Sequence, residues 1–198
     1  MLKCSLDKIQ SLFAKISENA KLYLPVDNAD GTASYGEWSE GVEWSNALNT
    51  NKSPKDFFFP QNEDLMRFKT EGKNIEVIDV RGESEDFVVF GVRACDAKSF
   101  EILDRVFLSE PRDSFYAMKR EHGVIVTLAC TRPAETCFCT TFGINAAEPA
   151  GDVSAWKTED EIFFKANTEK GEKFLLQVEK KIYYGILIVN EVHGSIKP

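Results

Sequence analysis

The sequence lacks any apolar segment long enough to cross a bilayer, and it contains no internal repeat or low-complexity tract. The start, "MLKCSLDKIQSLF", has neither the uninterrupted apolar core nor the small-residue cleavage site of a signal peptide. These absences argue against membrane and secreted proteins. We therefore expect a soluble, cytoplasmic protein with no membrane span.

Clustered positive charge is also missing. The chain has 24 Lys and Arg against 32 Asp and Glu, a net charge of −8, and its basic residues are scattered among acids. Binding to nucleic acid requires Lys and Arg that neutralise phosphates, so no nucleic-acid partner is expected. The isolated glycines form no phosphate-binding fingerprint, and no Walker-type lysine motif is present.

Cysteine is scarce but concentrated. The chain has five cysteines, and three of them lie in the stretch "LACTRPAETCFCTTFG". A chain of 198 residues can bury a core without disulfides, and cytoplasmic thiols stay reduced. Such a set indicates metal ligation first. Unligated buried thiols and thiol redox catalysis are the alternatives, although a C-x-C pair is a poor match to a thioredoxin motif.

The hydrophobic pattern predicts an α/β (or α+β) fold. An amphipathic helix is expected over 5–20, then short antiparallel strands joined by a turn at 28–31, then a short helix after the aromatic run "DFFFP". Further on we expect a strand at 161–166, a helix from Thr168 and a last strand in "IYYGILIVN". We treat 1–198 as one domain with two subregions, 1–72 and 73–198.

The middle of the chain predicts a parallel strand-helix-strand unit within a mixed sheet. "FVVFGVR" and "GVIVTLA" are apolar strands, and 96–108 carries a helical apolar stripe between them. Strands joined by such a crossover end at the same edge of the sheet, where α/β proteins bind ligands. Cys95 and Cys130 follow these two strands, and the loop with Cys137 and Cys139 begins at the same place. Cys4, on the first helix, is expected to be incidental.

Four thiolates suit either a zinc ion or a [4Fe–4S] cluster. The spacing matches neither the paired C-x2-C knuckles of zinc sites nor the C-x2-C-x2-C run of bacterial ferredoxins, so both metals stay open on spacing alone. The neighbours "VRACDAK" and "CTRPAETC" add cations beside the sulfurs, and a helix starting near Asp96 would direct N–H groups at Cys95. Cations and N–H donors stabilise an anionic cluster and tune its potential.

Four residues near the cysteines are predicted to assist cofactor binding: Arg93, Asp96, Arg132 and Phe138. For Arg93 and Asp96 the competing interpretation is a surface ion pair or a helix cap. Phe138 is interpreted either as a shield of the metal from water or as an ordinary core aromatic. Lys98 is expected near the sulfurs, whereas His122 precedes its strand and is expected at the opposite edge.

These motifs resemble a known family. "FGVRACDAKSFEILDRVFL", "CTRPAETCFCTTFG" and "EPAGDV" are similar to the N-terminal region of iron–sulfur electron-transfer subunits, typified by the sulfhydrogenase beta subunit and the anaerobic sulfite reductase A subunit. The resemblance extends from "SPKDFFFPQ" to "TEKGEKFLLQV". Mapped residue by residue, the family's cysteines fall on Cys95, Cys130, Cys137 and Cys139. The chain departs from the family in lacking the two cysteine runs of its C-terminal ferredoxin-like domain.

The resemblance implies an iron–sulfur module of an anaerobic oxidoreductase complex. Its partners would be a flavin- and NAD(P)-binding reductase subunit and a catalytic redox subunit of hydrogenase or sulfite reductase type. The chain itself shows no paired carboxylates or Cys–His spacing that would indicate acid–base catalysis, so we expect a non-catalytic electron-transfer subunit. The alternative function is a structural zinc-binding assembly domain without a redox role.

Overall fold

A computed structural model describes residues 1–181 and 186–188, which form a mixed eight-stranded sheet, a separate hairpin and flanking helices. The strands are β1 (Leu2–Ser5), β2 (Lys21–Asp27), β3 (Ala33–Glu37), β4 (Arg67–Glu71), β5 (Asn74–Ile78), β6 (Phe87–Val92), β7 (Gly123–Leu128), β8 (Val153–Lys157), β9 (Glu161–Ala166) and β10 (Ile186–Ile188). The helices are α1 (Ile9–Ser17), α2 (Ala94–Phe107), α3 (Ser114–His122) and α4 (Glu169–Lys181).

The sheet order is β10-β1-β9-β8-β7-β6-β2-β3. The four central strands, β8, β7, β6 and β2, run parallel to one another, and the outer strands pair antiparallel. This arrangement confirms the predicted α/β fold with a mixed sheet. Strands from both predicted subregions are interleaved in one sheet, because β1, β2 and β3 flank strands from the second half of the chain.

The predicted parallel unit is confirmed. β6 leads directly into α2, the chain returns through α3, and β7 pairs parallel with β6. The apolar stripe of α2 packs Ala97 and Phe100 against the sheet. The unit contains a second helix, α3, that the apolar pattern did not reveal, because this helix buries only Tyr116 and Ala117.

Helices cover both faces of the sheet. On one face α1 and α4 bury Leu12, Phe13 and Leu175 against the strands. On the other face α2 and α3 enclose a second core around Phe58 and Phe100, whose ring centroids are 4.9 Å apart. Phe58 is the only fully buried member of the "FFF" run, and Phe59 instead stacks on Phe107 at the surface. Apolar burial on both faces fixes the strand ends that carry the cysteines.

The N-terminus differs from the sequence-based prediction. Residues Leu2–Ser5 form an inner strand of the sheet, and the α-helix begins only at Ile9. The strand covers only four residues, and the helical hydrophobic pattern begins directly after it. So short an alternation of buried and half-buried side chains cannot be distinguished from the start of the helix by sequence pattern. Cys4 therefore lies on a strand, where it is buried in the core, and its placement on the first helix was wrong.

Other predicted elements have mixed outcomes. The antiparallel pair β2 and β3 and its turn, closed by a Gly31 N–H to Asn28 O hydrogen bond of 3.1 Å, are confirmed. So are the strand at Glu161–Ala166 and the helix that follows Thr168. The helix predicted after the aromatic run was wrong: that segment leads into β4, which pairs with β5 in a hairpin. Strand β8 was not predicted.

The last predicted strand is confirmed in part. Ile186–Ile188 pairs antiparallel with β1, and the other residues of "IYYGILIVN" lie outside the described residues. Within the described ranges, no helix is both long and apolar enough to cross a membrane.

Candidate metal centre

The four predicted ligand thiols lie at the carboxyl edge of the parallel strands. Cys95 is in the first turn of α2, directly beyond β6, and Cys130 follows β7. Cys137 and Cys139 belong to the connection from β7 to β8, where tight turns bend the chain. The first and last of these cysteines, Cys95 and Cys139, are 44 positions apart in the sequence. The fold brings them to one edge.

Electrostatic coupling shows that the thiols are neighbours. Burial raises the pKa of Cys95, and negative charge on Asp96, Cys139 and Cys130 raises it further. Burial likewise raises the pKa of Cys130, to which Cys139 and Cys137 contribute in the same direction. The thiols do not form a closed ligand set: across residues 1–181 and 186–188, no three His, Cys, Asp or Glu side chains are grouped closely enough to hold a metal ion directly.

A β-bulge directs the end of β6 toward this edge. The register with β7 shifts between Phe90 and Val92, and the extra residue is Gly91 with a φ of +79°. A Cβ at Gly91 would lie 3.1 Å from Pro25 Cδ, so both the backbone angle and the available space favour glycine. Bulges of this kind reorient the residues that follow them. Here those residues are Arg93 and Cys95.

Backbone N–H groups point at two of the sulfurs. The first helical bond of α2 runs from the Ala97 N–H to Arg93 O at 2.9 Å, which leaves the preceding N–H groups without helical acceptors. The Asp96 N–H is next to the Cys95 thiol and opposes the rise in its pKa. The Ala134 N–H donates to Cys137 Sγ at 3.2 Å. Hydrogen bonds of this kind to ligand sulfurs are among the features that set cluster potentials.

Arg93 lies beside Cys130. Its positive charge lowers the pKa of the Cys130 thiol, against the dominant effect of burial. The same side chain donates to Leu48 O at 2.9 Å and to Ala47 O at 2.8 Å. Arg93 therefore ties the 45–53 segment to the cysteine edge. Its side chain does not cap α2, and it forms no ion pair with any residue that the structure describes.

A second cation at this edge was not predicted. Lys157 ends β8 and lies over the Trp44 ring, 4.6 Å from its centroid. Burial and the charge of Arg93 lower the pKa of Lys157, which shows that the two cations are close. Its side chain also hydrogen-bonds Asn46. The sequence would have predicted this position only if β8 had been recognised as a strand parallel to β7, because Lys157 would then end at the same edge as Cys130.

Asp96 is bound to the 45–53 segment. Its carboxylate accepts a hydrogen bond of 2.5 Å from Ser53 Oγ, and burial raises its pKa. Asp96 also borders a cavity of about 180 Å³ beneath the 45–53 segment, together with Arg93 and Tyr35. Its role in this geometry is to fix that segment against the first turn of α2.

The remaining predicted neighbours are peripheral. Arg132 is exposed, and in the described part of the chain no hydrogen bond or ion pair holds it. Phe138 is 65% exposed and contacts Phe142, so it is not a core aromatic; its role as a shield stays a prediction. Lys98 pairs with Glu101 at 2.5 Å. His122 pairs with Asp86 at 2.7 Å at the start of β6 and β7, the edge opposite the cysteines, as expected.

The donor set fits a thiolate-bound metal centre. Thiols are the ligands that iron–sulfur clusters and structural zinc both use, and here they are accompanied by N–H donors and by the guanidinium of Arg93. The fold and this edge together define an α/β domain that presents four cysteines at the carboxyl ends of parallel strands.

Comparison with known proteins identifies a homologue. The chain is 32% identical over 164 residues to the sulfhydrogenase 2 subunit beta of Pyrococcus furiosus, an alignment that covers 82% of this chain and 47% of that protein. The chain thus spans about half the length of this relative, consistent with an N-terminal region of the subunit. The resemblance to sulfhydrogenase beta subunits is confirmed. No family model and no solved structure matches the chain.

Proposed function

We propose that this chain is an electron-transfer module of an oxidoreductase complex and holds a [4Fe–4S] cluster through Cys95, Cys130, Cys137 and Cys139. A bound cluster of this kind accepts and donates one electron at a time. The partners that fit this role are a flavin- and NAD(P)-binding reductase subunit and a catalytic subunit of hydrogenase or sulfite reductase type. The single observation that carries the proposal is that four cysteines, from three chain segments, all lie beyond the carboxyl ends of parallel strands at one sheet edge.

Homology supports the same class of function. The relative is by name a subunit of a sulfhydrogenase, an enzyme of redox chemistry, and the aligned region includes most of this chain. The described residues add no competing catalytic arrangement, because the one His–Asp pair, His122 with Asp86, lies at the opposite edge. An electron-transfer role requires no acid–base pair beside the cysteines, whereas conversion of a substrate would require catalytic side chains there.

The protein's own contribution is to bind, orient and stabilise. Burial raises the pKa of Cys95 and Cys130, so both thiols are protonated until a metal displaces the proton. The N–H group of Ala134 is a donor to Cys137, and the N–H group of Asp96 is next to Cys95. Arg93 supplies a positive charge beside Cys130.

The test is metal and sulfide analysis of the full chain purified without oxygen. The proposal expects a brown protein that contains iron and acid-labile sulfide in equal amounts, and that bleaches when dithionite is added. A colourless protein with one equivalent of zinc would instead identify a structural zinc domain. Protein with neither metal would refute both assignments.

Two cysteine variants form a matched pair for the ligand assignment. Cys137→Ser is expected to lose the metal, because Cys137 is exposed and has no packing role that could hold the site together without it. Cys4→Ser is expected to keep full metal content, because Cys4 is buried in β1 and remote from the carboxyl edge. Full metal content in the Cys137 variant would contradict this ligand set.

A further inference from the structure

The β4–β5 hairpin exposes an apolar face. Its strands pair in register from Arg67 with Ile78 to Glu71 with Asn74, and a two-residue turn with Gly72 at a φ of +60° joins them. The directly opposed residues Phe68 and Val77 point to the same side. The exposed apolar residues of this face and of the approach to it, each between 59% and 71% exposed, are Leu65, Met66, Phe68, Ile75 and Val77.

The other face of the hairpin is charged. Lys69 and Glu76 are directly opposite each other there, and both are exposed to solvent. The hairpin is thus amphipathic, like antiparallel strands that pack on a protein core with one face and expose the other to solvent. Neither of its strands packs extensively against another helix or strand of residues 1–181 and 186–188. An isolated two-stranded hairpin is at most marginally stable in water, so this face requires a cover.

We propose that a second copy of this chain covers the face, with the two apolar sides packed together around a two-fold axis. The exposed residues present on the order of 600 Å² of surface, as much as the largest patch of a typical monomer. Two copies would bury about twice this area, which reaches the lower end of specific, stable interfaces. The amount of surface matches what a symmetric contact needs.

Charge permits this contact. Each chain carries a net charge of −8, and the repulsion between two copies would oppose association through an acidic surface. From 65 to 78 the charged residues are Arg67, Lys69, Glu71, Lys73 and Glu76, so this segment has three positive and two negative charges. The hairpin is therefore a nearly neutral surface on an acidic protein. Arg67 at the base of the hairpin lines a pocket with Phe87 and Lys119, near the start of β6. Because the cysteines lie at the other end of β6, the contact leaves their edge accessible.

The test measures the mass of the purified full chain in reducing, oxygen-free buffer by sedimentation and light scattering over a dilution series. Wild-type protein is expected to change from one to two chain masses as its concentration rises. The double variant Phe68→Thr/Val77→Thr keeps β-forming residues but removes the apolar contact, and it is expected to dimerise at least about tenfold more weakly. The matched control Lys69→Thr/Glu76→Thr alters the adjacent pair on the charged face and is expected to dimerise like wild type.

Hydrogen exchange of wild-type protein gives a reading that does not depend on the variants. Amides of 67–78 are expected to be protected more strongly at concentrations where the dimer forms. A wild-type chain that stays at one chain mass would overturn the proposal, as would an apolar-face variant that dimerises normally. A monomer whose hairpin amides become protected only when another subunit of the complex is added would also overturn it, and would assign the face to that subunit.

Discussion

Asp104 joins the two helices of the crossover that positions Cys95. Its carboxylate accepts hydrogen bonds from Arg120 Nε at 2.8 Å and Arg120 Nη2 at 3.0 Å, and from the Tyr116 hydroxyl at 2.7 Å. Arg120 lies under two aromatic rings, with its guanidinium 5.3 Å from the centroid of Phe58. Replacement of Asp104 by Asn therefore leaves a mostly buried cation without its counter-ion.

The expected cost follows from this burial. Removal of one partner of a buried pair costs about 3–5 kcal/mol. The side chains of Asp104 and Arg120 retain 28% and 19% of their exposure, so water screens part of this loss. We expect Asp104→Asn to lower the free energy of unfolding by about 2–4 kcal/mol. Tyr116→Phe removes one neutral donor to the carboxylate and is expected to cost about 1–2 kcal/mol.

Urea denaturation followed by circular dichroism checks these values. The double variant Asp104→Leu/Arg120→Met removes both charges, and we expect it to recover most of the loss, because an apolar pair can replace a buried ion pair at little cost. A stability of Asp104→Asn within about 0.5 kcal/mol of wild type would refute the reasoning, since that is the range of neutral surface substitutions.

The same pair predicts a dependence on pH. Burial alone would raise the pKa of Asp104, but the hydrogen bonds from Arg120 and Tyr116 and the nearby positive charges lower it overall. A lowered pKa in the folded state stabilises the protein above the unfolded-state pKa of about 3.9 and ceases to do so as the pH falls through the folded-state value. Wild-type stability should therefore decline below about pH 4, and Asp104→Asn should decline less steeply.

Two further outcomes are expected. Arg93→Gln in the cluster-loaded protein should make the reduction potential more negative by about 100 mV. One charge at about 6 Å in an effective dielectric of 20 contributes roughly 3 kcal/mol to the stability of the reduced cluster. The control Arg132→Gln, at an exposed position, should shift the potential in a redox titration much less. Gly171→Ala in α4, a change that usually stabilises helices by about 1 kcal/mol, should instead lower the midpoint of thermal unfolding, because the new Cβ would lie 2.1 Å from Asp152 O. An unchanged or higher midpoint would contradict that close approach.

Several elements follow from local pattern alone. The apolar runs of β6 and β7 and the stripe of α2 are continuous enough to define a parallel unit, and the rule that its strands end at one edge then places Cys95 near Cys130. Asn28 and Gly31 define the turn between β2 and β3 in the same way. In these segments local propensity and final burial agree, so the sequence is sufficient to predict them.

Other features depend on contacts between distant segments. Leu2–Ser5 becomes a strand only because β9 and β10 flank it, and β8 is a strand only because β7 and β9 do. Arg93 reaches Cys130 through a bulge at Gly91 and is held by carbonyls of the 45–53 segment, and Lys157 joins that edge from the far end of β8.

The sequence by itself determined the class of fold, the four thiols and the edge at which they lie, because these depend on periodicity and on chain connectivity. The tertiary structure decided which charges accompany the sulfurs, where Cys4 is buried and which apolar face is left uncovered. Those properties arise from the packing of segments that are far apart in the chain, and local residue patterns do not specify such packing.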